Sequence, residues 1–208
     1  MKLILKTLFF VILISNTSIT NSQPITWQKL LNYTGFSGLN KAQQTSDGGY
    51  IAVGTNRITG NYKMFLVKLN LFGDTLWNKY FDLNFNADYD GFWIEETFDK
   101  GFIVAGSGPG MLSDAYLVKT DSLGDIQWIN SYGGSDLDQC RCVRQLTDNG
   151  FILMVRTLSY TQTNDIMIIR TDSAGNEIWR KVYGISPYEE LGWELRVIGN
   201  SGYIIAGW

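Results

Sequence analysis

Residues 97–106 read TFDKGFIVAG, and the same pattern returns as TSDGGYIAVG at 45–54, LTDNGFILMV at 146–155 and IGNSGYIIAG at 198–207. The aligned glycines, Gly49, Gly101, Gly150 and Gly202, are separated by 52, 49 and 52 residues. A second pattern interleaves with the first: FLVKLNLFGDTLW (65–77), YLVKTDSLGDIQW (116–128) and IMIIRTDSAGNEIW (166–179). Here Gly73, Gly124 and Gly175 recur every 51 residues, as do Trp77, Trp128 and Trp179, and Trp27 lies 50 residues before Trp77. Two independent registers at one period define an internal repeat.

Each period reads as four short strands bounded by turn signals. In the second unit these are Gly91–Thr97, Gly101–Ser107, Asp114–Thr120 and Ile126–Tyr132, filled by β-branched and aromatic residues. The Asp121–Gly124 and Asp172–Gly175 turns have a local logic: the Asp carboxylate bonds nearby amides and the glycine takes the left-handed conformation. Asn70 and Gly73 hold the same places in the first unit. No sustained 3.6-residue apolar stripe appears after the N-terminal segment, so the expected fold is all-β. Four strands per roughly fifty residues is the signature of a β-propeller blade. The recurring tryptophan is expected to fill the space between neighbouring blades.

Composition bounds the function. The chain has 208 residues, 45% apolar and 14% aromatic, enough to bury a sizeable core. A formal charge of −3 and a pI near 5.0 argue against a nucleic-acid groove, which needs a basic face. There is no histidine. That removes the usual general base near neutral pH and the commonest metal ligand, and with them Ser-His-Asp, Cys-His and His-metal sites.

The N-terminus carries Lys2 and Lys6, an apolar run from Leu8 to Ile14, and small polar residues leading to Gln23. This reads as a secretory signal peptide over residues 1–22, with an apolar segment too short to span a bilayer. The expectation is an exported protein, secreted, periplasmic or on the cell surface, with no transmembrane segment in the mature chain. Residues 23–208 then hold an outer-type strand at Ile25–Leu31, three full four-stranded units and a partial fourth. That count suggests an incomplete propeller whose sequence is truncated at Trp208.

The DGGYIAVG-type segments followed by LVKTDSLGDIQW-type segments resemble secreted bacterial β-propeller repeats of the Bacteroidetes type. The Asp-x-x-Gly-x-x-x-Trp part is also similar to quinoprotein-type propeller repeats. The resemblance spans essentially all of residues 23–208. It implies an exported surface or extracellular protein, sometimes bearing a C-terminal sorting domain, which these 208 residues do not show. Fold likeness of this kind carries little about chemistry.

Each candidate site in the sequence also has a structural role open to it. GFIVAGSGPG (101–110) resembles a phosphate loop, but a strand rather than a helix follows it, so it reads as a turn. NADYDGFWIEE (86–96) resembles a calcium loop through Asn86, Asp88, Asp90 and Gly91. Its twelfth position falls on Thr97, with Glu96 one residue short. The segment reads as a solvated turn leading into a strand and no cofactor is expected; calcium held at an inter-blade acidic loop by another geometry is the alternative. Asp114 and Asp165, where the first unit has Lys63, are expected to bond backbone amides at the start of the third strand. Cys140 and Cys142 face one way on a strand and are not part of the repeat; buried thiols or a strained, labile bridge are both open. Glu95 with Glu96, and Glu189 with Glu190, are adjacent carboxylates that point to opposite faces and form no dyad alone.

The leading expectation is therefore a non-catalytic binding or structural scaffold with a protein or glycan partner. The alternative is part of a propeller enzyme, quinoprotein-like or polysaccharide-active. A non-functional remnant is a third reading.

Overall fold

The computed structural model describes residues 37–58, 60–81, 88–108, 114–161, 163–185, 187–199 and 202–208. The expected signal peptide, the Ile25–Leu31 strand and Trp27 lie outside these residues. The described residues form fourteen strands and no helix, so none is long and apolar enough to cross a membrane.

The first unit is β1 (Ser37–Gln44), β2 (Tyr50–Ile58), β3 (Asn61–Leu69) and β4 (Thr75–Phe81). The second is β5 (Asp90–Glu96), β6 (Phe102–Ser107), β7 (Ala115–Thr120) and β8 (Ile126–Tyr132). The third is β9 (Asp138–Gln145), β10 (Phe151–Thr157), β11 (Asp165–Thr171) and β12 (Glu177–Tyr183), followed by β13 (Gly192–Ile198) and β14 (Gly202–Gly207). Each unit is an antiparallel sheet whose strands lie side by side in chain order, and among the described residues β13 pairs with β14 alone. All four strands expected in the second unit are present within one residue at each end.

The sheets stack through their faces. β5 packs on β1 and β2, β9 on β5 and β6, and β13 on β9 and β10. This explains the strand patterns. Phe102–Ser107 is buried at every position because neighbours cover both of its faces, so it reads as a continuous apolar run. The last strand of each unit, such as Ile126–Tyr132, alternates exposed and covered residues because only one face is occupied.

Two kinds of glycine hold the repeat. Gly73, Gly124 and Gly175 have φ of 80°, 79° and 80°, the left-handed conformation of the tight turn. Asp121 Oδ1 accepts from the amides of Leu123 and Asp125, both at 2.9 Å, and Asn70 and Asp172 do the same in their turns. Gly49, Gly101 and Gly150 serve a different need. A Cβ on Gly101 would sit against the Thr120 carbonyl and 2.6 Å from Lys119 Nζ, and Gly49 faces Leu69 and Lys68 likewise.

That close approach admits a buried cation in each of the three four-stranded units. Lys68 and Lys119 are 5% exposed and Arg170 9%. Lys68 Nζ pairs with Asp47 at 2.8 Å and Lys119 Nζ with Asp99 at 2.8 Å; Arg170 pairs with Asp148. The pairs fasten the turn after the first strand to the end of the third. The hydrogen bond from Lys68, with help from Thr45, holds the Asp47 carboxyl down to about 2, against an ordinary 3.8. A folded value below the unfolded one stabilises the fold above the ordinary range, and that stability is lost as pH falls. The urea midpoint is thus expected to fall between pH ~4 and ~2, and Lys68→Met should flatten that fall. An unchanged slope in Lys68→Met would exclude the pair as its source.

Consecutive units are joined by aromatic contacts. Trp77 meets Phe102 of the next unit edge-on at 6.0 Å, and Trp128 meets Phe151 at 5.9 Å. A Cβ on Gly124 would lie 2.9 Å from the Trp77 ring, and one on Gly175 2.8 Å from that of Trp128. The turn glycine therefore also makes room for the preceding unit's indole. Lys79–Asp125 at 2.6 Å and Tyr132 Oη to the Gly175 carbonyl at 2.5 Å cross the same junctions. Trp179 is 39% exposed.

Candidate functional site

The first strand of every unit breaks register at one place. The breaks fall between Leu39 and Lys41, Gly91 and Trp93, Cys140 and Cys142, and Gly192 and Glu194. Each leaves one residue unpaired, namely Asn40, Phe92, Arg141 and Trp193, at the repeat spacing. A β-bulge of this kind bends its strand and re-aims a side chain. The backbone crowding behind it explains a further set of glycines. A Cβ on Gly54, Gly106 or Gly207 would collide with the carbonyl of Gly38, Asp90 or Leu191 on the bulged strand.

The four bulges converge. Asn40, Phe92, Arg141 and Trp193, with Lys41 and Trp93, line one cavity of roughly 370 Å³. Arg141 lies over the Phe92 ring at 4.2 Å, and Lys41 Nζ over the Trp93 ring at 3.8 Å. Asn40 Nδ2 donates to the Gly91 carbonyl at 2.7 Å, tying two bulges together. Arg141 Nη2 donates to Gln139 Oε1 at 2.6 Å, and Arg156 Nη1 approaches the same oxygen at 3.4 Å. Burial, then the neighbouring Arg156 charge, pull the Arg141 guanidinium below its ordinary value. A second hollow is lined by Glu95, Arg144, Gln145, Arg196 and Val197. There Arg144 is already neutralised by Glu95 at 2.8 Å and Glu194 at 3.3 Å.

No protein-family model matches the sequence, and comparison with curated proteins finds no match.

The residues singled out in the sequence do not gather into one centre. Asp88 accepts from the Tyr62 amide at 2.7 Å and Asp90 from Thr55 Oγ1 at 2.8 Å, while Glu96 binds Ser46 from the far end of β5. Six residues of extended strand place Glu96 about 20 Å from Asp90, so it does not close a loop around a cation with it. Asn86 lies outside the described residues. Among the described residues no three His, Cys, Asp or Glu side chains form a metal-holding group.

Among the described residues Asp165 departs from the expected role: its Oδ2 accepts from the Thr161 hydroxyl at 2.8 Å rather than from a backbone amide. A neighbouring carboxylate at the start of β9, Asp138, does bond an amide, accepting from Gly134 N at 2.8 Å and from Ser159 Oγ at 2.8 Å. Asp114 lies near it; burial, then the Asp138 charge, raise the Asp114 carboxyl above 3.8. Cys140 and Cys142 are buried free thiols, so the bridge is ruled out. Burial pushes both thiols up, Cys142 to about 11, which keeps them protonated and unreactive near neutral pH. Glu95 faces Arg144 in the next unit and Glu96 faces Ser46 in the previous one, so this adjacent pair diverges. Glu190 Oε1 accepts from Ile185 N at 3.1 Å, and Glu189 is exposed.

Proposed function

We propose that the chain is an exported β-propeller in which each four-stranded sheet is one blade. We read its activity as non-catalytic binding at the cavity shared by the first strands. The observation that carries this reading is the convergence of four bulges, one per repeat, on a single hollow. Register also shifts between the third and fourth strands of each full unit; what sets the first-strand bulges apart is that their unpaired residues line one hollow. The stacking of each unit on the next through its first strand supports the blade arrangement. Export rests on the N-terminal sequence pattern.

The test is capture by the immobilised full chain from arrays of glycans and peptides. A ligand retained by the wild type and lost in Trp193→Ala supports the reading, and no retained ligand overturns it. Intact-mass measurement after expression with the native N-terminus is expected to find a chain beginning at Gln23. An uncleaved chain would overturn export by a cleaved signal peptide.

A further inference from the structure

The cavity at the four bulges holds two cations, Lys41 and Arg141, with no carboxylate in direct contact with either among the described residues. Among the described residues neither Lys41 nor Arg141 forms an ion pair, in contrast to Lys68, Lys119, Arg144 and Arg170. Arg141 and Arg156 converge on the neutral amide oxygen of Gln139. The nearby acids are already engaged: Asp90, whose charge Arg141 feels, accepts from Thr55, and Glu194, whose carboxylate feels Lys41, pairs with Arg144 and Arg196. A half-buried cation without a carboxylate is costly, and a ligand anion would relieve that cost. Guanidinium groups bind carboxylates in a planar, two-pronged manner.

The rest of the lining sets the body of the ligand. Phe92 and Trp193 offer ring surface, Trp193 being 58% exposed. The Trp93 indole is 6% exposed and lines the cavity, and its Nε1–H has no hydrogen-bond partner among the described residues. Asn40 uses its amide nitrogen on Gly91 and keeps its oxygen for an incoming hydroxyl. Flat rings, scattered donors and acceptors, and an unneutralised guanidinium together suit a ring with one apolar face, several hydroxyls and a carboxylate. The volume lies within the usual range for small-ligand sites, ~300–1,000 Å³.

We infer that this cavity binds a carboxylate-bearing sugar, a uronate unit of an acidic polysaccharide, with Arg141 and Lys41 on the carboxylate and Trp193 or Phe92 under the ring. This inference rests on the binding-scaffold reading above and narrows it to one ligand class.

The experiment is titration of the full chain with trigalacturonate and with its methyl ester, followed by intrinsic tryptophan fluorescence and calorimetry. The ester keeps the sugar and removes the charge. The acid is expected to bind at least about tenfold more tightly than the ester. Lys41→Gln and Arg141→Gln should each weaken the acid by about tenfold and leave the ester unchanged. Raising salt from about 0.05 to about 0.5 M should weaken only the acid. Trp193→Ala should weaken both.

Equal binding of acid and ester overturns the inference, as does undiminished binding by Lys41→Gln at an unchanged melting temperature. If Arg141→Gln fails to fold, Lys41→Gln, at a half-exposed position, carries the test. No binding of the acid by the wild type also overturns it. In that case a neutral glycan or peptide captured on the arrays and lost in Trp193→Ala would leave the scaffold reading standing.

Discussion

Phe151→Ala is expected to destabilise the fold by about 3–5 kcal/mol, the range for emptying a buried aromatic site. Phe151 is 1% exposed and belongs to the largest buried cluster, which includes Cys140, Cys142, Met154 and Leu195. It also receives the edge of Trp128 at 5.9 Å, so its loss opens the junction between the second and third units as well as the third unit's core. At roughly 2–4 °C per kcal/mol for a chain of this size, the melting temperature should drop by about 6–20 °C. Urea unfolding measures the same loss. A change below about 1 kcal/mol would mean that the site collapses around alanine, contrary to the close packing described. Combining Phe151→Leu with Trp128→Leu should reveal a coupling of about 0.5–1.5 kcal/mol.

Gly101→Ala is the smaller substitution and should cost nearly as much, about 3 kcal/mol, the upper range for overpacking. The added methyl would meet the Thr120 carbonyl and Lys119 Nζ, and the carbonyl is backbone and cannot turn aside. Lys119 would be pushed from Asp99 while remaining buried, adding an unpaired charge to the clash. Gly48→Ala, one residue before Gly49, is the control. There a Cβ meets nothing within 4 Å, although φ is +82°, so the cost should be only the ~1–2 kcal/mol of a left-handed alanine. If both variants melt together, crowding by the buried cation is not what fixes the repeat glycine.

The strands and turns were legible in the sequence because they depend on residue type. Asp121 and Gly124 stand where their turn needs them, and Ile126–Tyr132 alternates because one face is covered. The repeat tryptophans and glycines were visible too, though the reason for Gly101 was not. It faces an ammonium whose partner, Asp99, is 20 residues away in the sequence.

The cavity escaped the reading for a different reason. What recurs at Asn40, Phe92, Arg141 and Trp193 is a backbone irregularity, and no one residue type marks the four positions. Two signals were present. Gly54, Gly106 and Gly207 mark where the bulged strand comes close, and Phe92 interrupts the alternation of β5. The carboxylates stand out more in the sequence, yet Asp88, Asp90, Glu95 and Glu96 each bond a residue of a neighbouring unit.

The tryptophan junctions give the molecule a direction. Trp77 is covered by residues 102 and 124, and Trp128 by residues 151 and 175. Each indole thus waits for chain that is synthesised after it. A unit emerging first is left with an open flank until its successor folds against it, so folding should advance from the N-terminal unit onward. For a chain that also crosses a membrane N-terminus first, as proposed, threading and folding would run in the same order, with one sticky flank exposed at a time.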